Sequence, residues 1–102
     1  MLTGARLRQK LSIPARKFHA VGNLSRLSIL YILAREPMEF GRIVRRLKLP
    51  PSLLSHHLKQ LVGAGLVTKT KVGKLVTYYL AEDSVKEMSA LLRNWSPQSE
   101  SN

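Results

Sequence analysis

From Phe40 to Leu66 the chain carries two helical faces on either side of a break. Phe40, Ile43, Val44 and Leu47 recur at i, i+3, i+4 and i+7, the spacing that lines one side of a helix with apolar groups. Arg42, Arg45 and Arg46 lie off that side. Leu49-Pro50-Pro51-Ser52 ends the helix, because proline disfavours helical geometry in the residue before it yet fits the first turn of a new helix. Leu54, Leu58 and Leu61 repeat at i, i+4 and i+7 and give a second helix, within Ser52 to Gly63, its own buried stripe. The opposite side of that helix carries Ser52, Leu53, Ser55, His56, Lys59 and Gln60, and Gly63 and Gly65 supply its stop. Helix, short turn and polar second helix is the arrangement that sets a recognition helix into the DNA major groove.

The flanking patterns complete the architecture. Residues 1–13 are basic, with Leu2, Leu7 and Leu11 loosely spaced; a short amphipathic helix and a flexible arm both fit. Pro14 suits a helix start, and residues 15–20 form a short helix burying Phe18 and Val21. Asn23 is placed to cap the next helix, Leu24 to Ala34, which is apolar nearly all round and so belongs at the centre of the domain. Met38 to Lys48 then forms the first helix of the motif. After Gly65 the period becomes extended. Residues 66–71 and 75–80 read as two strands rich in β-branched and aromatic positions, joined at Val72-Gly73. Lys69, Lys71 and Lys74 cluster at the hairpin tip, so the hairpin is a cationic wing beside the recognition helix. Glu82-Asp83-Ser84 caps a last helix, Val85 to Trp95. The expected fold is mainly α with a small β-hairpin, a winged helix-turn-helix in the order α-α-α-α-β-β-α. Its parts are an arm or short helix at 1–13, the DNA-binding domain with its terminal helices at 14–95, and a disordered polar tail at 96–102.

Charge sharpens this picture. Lys and Arg number 17 against 6 Asp and Glu, a net charge of +11. No acid falls between Phe40 and Ala81, whereas Arg42, Arg45, Arg46, Lys48, Lys59, Lys69, Lys71 and Lys74 do. A positive field centred on a reading motif is the footprint of phosphate binding. Arg26 lies at the start of its helix, where it can reach a phosphate or a carboxylate. The absence of cysteine removes disulfides and thiolate metal sites. No apolar run reaches the ~18 residues of a membrane helix, and the basic N-terminus lacks a signal peptide's apolar core. The expectation is a cytoplasmic protein acting on double-stranded DNA, with no membrane partner and no cofactor.

Among candidate contacts, Ser55, His56 and Lys59 are suited to base edges or phosphates, with Ser52 and Leu53 in the first turn nearest the groove floor. Leu53, apolar yet off the core stripe, can meet a thymine methyl. His57 adjoins the buried stripe, where it packs or holds a phosphate. Adjacent residues on a helix point apart, so His56 and His57 do not form a metal pair; His19 has no neighbouring ligand. An enzyme needs a nucleophile with a base, paired carboxylates or a phosphate loop, and none of these patterns occurs. The rival is a winged-helix module binding RNA or another protein within a larger complex, which the fold alone does not exclude.

The pattern resembles the winged-helix repressors of the ArsR type over roughly Phe18 to Trp95. Residues 23–30 (NLSRLSIL) are similar to the family's Asp-Pro-Thr-Arg-Leu-x-Ile-Leu helix start. Residues 54–61 (LSHHLKQL) are similar to its Val-Ser-His-His-Leu-Lys-x-Leu recognition helix. Gly65-Leu66-Val67, Gly73-Lys74 and Tyr78-x-Leu80 resemble its wing. The resemblance implies a DNA-binding regulator, a repressor, and a two-fold homodimer. The departures bear on mechanism. Where the family's metal sensors carry Cys-x-Cys, this chain reads Glu39-Phe40-Gly41, and its last helix has no histidine, so no metal switch is expected. Lys48 stands where the family often has glycine, and Pro50 where it has a Ser or Thr cap. Strain at Lys48 and a missing side-chain cap on the recognition helix follow.

Apolar positions remain after the core is filled. Val85, Met88, Leu91, Leu92 and Trp95 form a stripe too wide for one short helix to bury against so small a core, and Phe18 and Val21 lie on the other terminal element. Pairing these between two chains buries both sets, as the resemblance also implies, with Phe18 and Trp95 as the aromatic anchors.

Overall fold

A computed structural model describes residues 3–93. The expected anchor Trp95 and the tail 96–102 lie outside the described residues. The elements run α1 Gly4–Val21, α2 Leu24–Leu33, β1 Met38–Glu39, α3 Phe40–Leu47, α4 Pro51–Gly63, β2 Val67–Val72, β3 Leu75–Leu80 and α5 Glu82–Arg93. The arrangement is a winged helix-turn-helix with one small sheet.

The core forms where helical stripes converge on that sheet. Ile29 of α2, Ile43 of α3, Leu54, Leu58 and Leu61 of α4, and Leu66 and Val67 are each 0–1 % exposed. Burying a side chain of this size contributes about 1.5–3 kcal/mol, so the three α4 leucines fix that helix more strongly than its own propensity does. Phe40, Val44 and Leu47 pack partly buried around Ile43, as their spacing predicts.

Each helix end has a local cause. Asn23 Oδ1 accepts the Arg26 backbone N–H at 3.1 Å, the expected N-cap of α2. After α4, the Leu66 N–H reaches the Leu61 carbonyl and the Gly65 N–H the Val62 carbonyl, both at 3.0 Å. This is a Schellman stop, and it puts Gly65 at φ +77°. At the end of α3 the residue in left-handed geometry is Lys48, φ 55°, where a Cβ is unfavourable. Pro50 precedes α4 with no side-chain cap. Both expectations drawn from the departures at these positions hold.

Four local readings are corrected. Residues 4–21 form one helix that runs through Pro14. Proline there gives up its own backbone bond towards Lys10 and crowds that carbonyl with its ring, a cost the helix bears inside its packing, and Thr3 caps the start by accepting the Arg6 N–H. Met38-Glu39 is not the first turn of a helix but a short strand against β3, with Met38 opposite Tyr78 and Glu39 opposite Thr77. The sheet therefore has three strands in the order β1-β3-β2, and Met38 and Tyr78 close its inner face at 2 % and 8 % exposure. The hairpin turn is Gly73-Lys74, closed by the pair Val72–Leu75, with Gly73 at φ +61°. Lastly, α2 is not buried all round: Ile29, Ile32 and Leu33 face the core while Leu24, Leu27 and Tyr31 are exposed.

One network ties the terminal helices to the end of α4. The Ser84 hydroxyl donates to the Gly65 carbonyl at 2.7 Å and accepts from Lys17 Nζ at 3.1 Å. Lys17 also pairs with Glu87 at 3.4 Å.

Because Lys48 is exposed and in left-handed geometry, Lys48→Gly is expected to stabilise the fold by about 0.5–1 kcal/mol, net of glycine's greater unfolded freedom. The thermal midpoint should rise by roughly 2–8 °C. A lower midpoint in thermal circular dichroism would contradict strain at this position.

Candidate nucleic-acid interface

The α4 stripe divides the helix into two faces. Leu54, His57, Leu58 and Leu61 are buried, while Ser52, Leu53, Ser55, His56, Lys59 and Gln60 are all exposed. The second set is the predicted reading face, held rigid by the first. β2 lies beside it. Lys69 lines a cleft of about 270 Å³ with Ser55, Lys59 and Tyr78, so wing and recognition helix share one surface. Lys71 follows on the same side of the strand by the two-residue period, and Lys74 occupies the turn. All three wing lysines are exposed.

The arginines differ among themselves. Arg42 pairs with Glu36 at 2.8 Å and Arg45 with Glu39 at 3.7 Å. The span from Phe40 to Ala81 is thus free of acids in sequence but not in space, because the two glutamates just before it reach back onto α3. These exposed pairs are weak and can yield to phosphates. Arg46 is exposed and makes no ion pair among the described residues. Arg26 serves the fold as well as the surface, since its Nε donates to the Ala20 carbonyl at 2.6 Å.

A half-exposed polar helix seated on an apolar stripe, with a cationic hairpin against it, is the arrangement of a winged-helix DNA-binding domain. Residues 24–69 match the family described as bacterial regulatory protein, arsR family. An uncharacterized HTH-type transcriptional regulator of Methanocaldococcus jannaschii is 39% identical over 85 residues, covering 82% of this chain and 96% of that protein. The chain belongs to the arsR family of transcriptional regulators. The transcriptional activator HlyU of Vibrio cholerae is 40% identical over 73 residues, covering 72% of this chain and 68% of HlyU. The solution structure of a homodimeric winged helix-turn-helix DNA-binding domain from Mycobacterium bovis, a possible ArsR-family regulator, superposes with a TM-score of 0.75 at 25% identity. That match covers 98% of this chain and 94% of the Mycobacterium bovis chain. ArsR-family proteins are regulators rather than enzymes.

Of the residues expected to join two chains, Phe18, Leu91 and Leu92 line an apolar groove between α1 and α5 of about 330 Å³, together with Leu11, Pro14 and Ala15. Val85 is exposed and does not line that groove. Val21 and Met88 are partly buried against the chain's own core. Leu7, Leu11 and Ile13 are exposed on α1; of the two readings of residues 1–13, the helix is the one found from Gly4 onward. The missed Leu24–Leu27–Tyr31 stripe on α2 has the i, i+3, i+7 signature, hidden in a segment where nearly every position is apolar.

At the positions of the family's cysteine sensors stand Glu39 and Gly41, at the start of α3. Among the described residues no group of three or more His, Cys, Asp or Glu side chains is placed to hold a metal ion. The rings of His56 and His57 sit 5.8 Å apart and tilted by 59°, one outward and one inward, so they cannot chelate together.

His57 is buried, and its Nδ1 has no hydrogen-bond partner among the described residues. Burial, with Arg26 and His56 nearby, holds its imidazole below the ordinary value of 6.5. The folded state therefore prefers neutral His57, while the unfolded chain takes up a proton below about pH 6.5. Stability is fully present above that value. It declines as pH falls from there towards the lower folded-state value. The urea midpoint is expected to fall between pH 7 and 5, and His57→Leu should flatten that fall. An equal slope in the variant would remove His57 as its source.

Proposed function

We propose that the protein is a sequence-specific double-stranded DNA-binding regulator, acting as a repressor in the form of a two-fold homodimer. The observation that carries this reading is the exposed set Ser52, Leu53, Ser55, His56, Lys59 and Gln60 on a helix whose other face is fully buried. The major groove is about 12 Å wide and admits one helix. Ser52 and Leu53, in the first turn of α4, lie nearest the groove floor, where Leu53 meets a thymine methyl. Ser55, His56, Lys59 and Gln60 follow along the groove wall as donors and acceptors. Lys69, Lys71 and Lys74 lie along the backbone, and Arg42, Arg45 and Arg46 reach phosphates from α3. Arg26 adds a fixed charge behind α4. The repressor assignment rests on the resemblance to the ArsR-type repressors; the similar HlyU of Vibrio cholerae is a transcriptional activator.

One winged helix covers only a few base pairs, and two half-sites one helical turn apart, ~34–36 Å, multiply selectivity. The α1–α5 groove, with exposed Leu11, Ile13 and Leu92 at or beside it, supports pairing of these helices between two chains, and the similar Mycobacterium bovis domain is homodimeric.

Two measurements test the reading. Affinity for a selected duplex should fall steeply with salt, by about 0.9 in log–log slope per phosphate contact. Lys71→Ala and Lys74→Ala should weaken all sequences alike, whereas Ser55→Ala or His56→Ala should relax preference at particular base pairs. Equal binding of selected duplex, random duplex and RNA at physiological salt would reject sequence-specific regulation, and tighter binding of RNA than of either duplex would favour the RNA-binding alternative. In sedimentation at micromolar concentration the protein should run as a dimer of about 23 kDa, twice the 11.5 kDa chain. Leu92 is 56 % exposed, so Leu92→Lys should raise the monomer fraction without unfolding the chain, as should Phe18→Ala. A clean monomer in the unaltered protein would refute the dimer.

A further inference from the structure

The cleft bounded by α1, α2 and α4 shares Arg26, His56, Lys59 and Gln60 with the reading above, but its α1 wall has no role there. Its volume is about 840 Å³, and Arg16, His19, Arg26, His56 and Lys59 all line it while no carboxylate does. Two walls are built to one rule. Arg16 and His19 are three residues apart on α1, and His56 and Lys59 are three apart on α4, the spacing that puts side chains on one helical face. The floor is low because Ala20 and Gly63 offer little or no side chain.

Arg26 closes the cleft from α2 with a preset geometry. Its Nε is held on the Ala20 carbonyl and its backbone N–H on Asn23, which leaves the terminal nitrogens of a planar fork for an oxyanion. The ion pairs among the described residues lie elsewhere, joining Lys17 to Glu87, Arg42 to Glu36 and Arg45 to Glu39. Like charges gathered in a concave wall raise the local potential and concentrate anions. An anion seated among Arg16, Arg26 and Lys59 would relieve their mutual repulsion and could accept N–H donors from the His19 and His56 rings.

We propose that this cleft binds a phosphate group, gripped by Arg26 from below and by Arg16 and His19 on one side and His56 and Lys59 on the other. The phosphate comes either from a free phosphate compound or from the backbone of duplex lying beside α4. His56 and Lys59 also belong to the reading face, so the first source would make operator binding sensitive to a small anion. That coupling and the backbone source rest on the proposed DNA-binding function; a site for a free phosphate compound does not.

The test uses the purified full chain and the double variant Arg16→Gln/His19→Gln. Both side chains are exposed, so the variant should keep the thermal midpoint. Sodium pyrophosphate is titrated calorimetrically against sodium chloride at equal ionic strength, which removes simple screening. Saturable pyrophosphate binding that weakens at least tenfold in the variant establishes the site with a free phosphate compound as ligand. Suppose instead that pyrophosphate binds no better than chloride, while the variant loses affinity equally for selected and random duplex and its salt slope shrinks by about 1. The site then takes a backbone phosphate. No pyrophosphate binding together with unchanged duplex affinity overturns the proposal. Pyrophosphate binding by a chain that ignores duplex would sink the regulator reading and leave the cleft assigned.

Discussion

Leu54, Leu58 and Leu61 seat α4 against the rest of the domain, and most other features of the molecule follow from that seating. Three leucines at 0–1 % exposure set both the depth and the rotation of the helix. Rotation decides which side chains meet solvent, and here the outward set is polar or cationic apart from Leu53. Because α4 begins at Pro51 with no side-chain cap, its position rests on packing rather than on its own end. The Schellman stop at Gly65 then delivers Leu66 and Val67 straight into the core, which aims β2 alongside the helix. The wing is where it is because the recognition helix ends where it does.

Charge is added to this frame with few compensations. Part of the +11 net charge gathers on two surfaces, the α4–wing face with Lys59, Lys69, Lys71 and Lys74 and the cleft behind it with Arg16 and Arg26. Glu36 and Glu39 temper only α3. His57 is buried near Arg26, with its Nδ1 unpartnered among the described residues, so a proton on it would add charge beside an existing cation. The same helix thus carries an apolar anchor, the proposed reading face and a group that opposes acid. A duplex or a phosphate compound would supply the negative charge that the chain does not provide.

Much of this was legible in the sequence. The i, i+4, i+7 leucines fixed the recognition helix, its outward residues, and His57 on the boundary. Family resemblance made Lys48 and Pro50 stand out, and left-handed geometry and a missing cap were found there. Other features needed three dimensions. A two-residue strand such as Met38-Glu39 has no period to detect, and only its pairing with β3 creates it. Pro14 looked like a boundary because proline suits a helix start, yet a long helix packed against α2, α4 and α5 tolerates one lost backbone bond. The apolar run of α2 concealed an exposed side, since a segment apolar nearly all round carries no phase. The cleft was invisible because Arg16, His19, Arg26 and His56 come from three separated segments, each ordinary by itself.

The claim that most depends on all of these pieces is that two α4 helices, related by a dimer axis, read duplex DNA together. Selection of binding sites from a pool of random duplexes at physiological salt measures this directly. The expected product is an inverted repeat whose half-site centres lie one helical turn, about 10–10.5 base pairs, apart. A pool that shows no enrichment, or a single short site without symmetry, would contradict it.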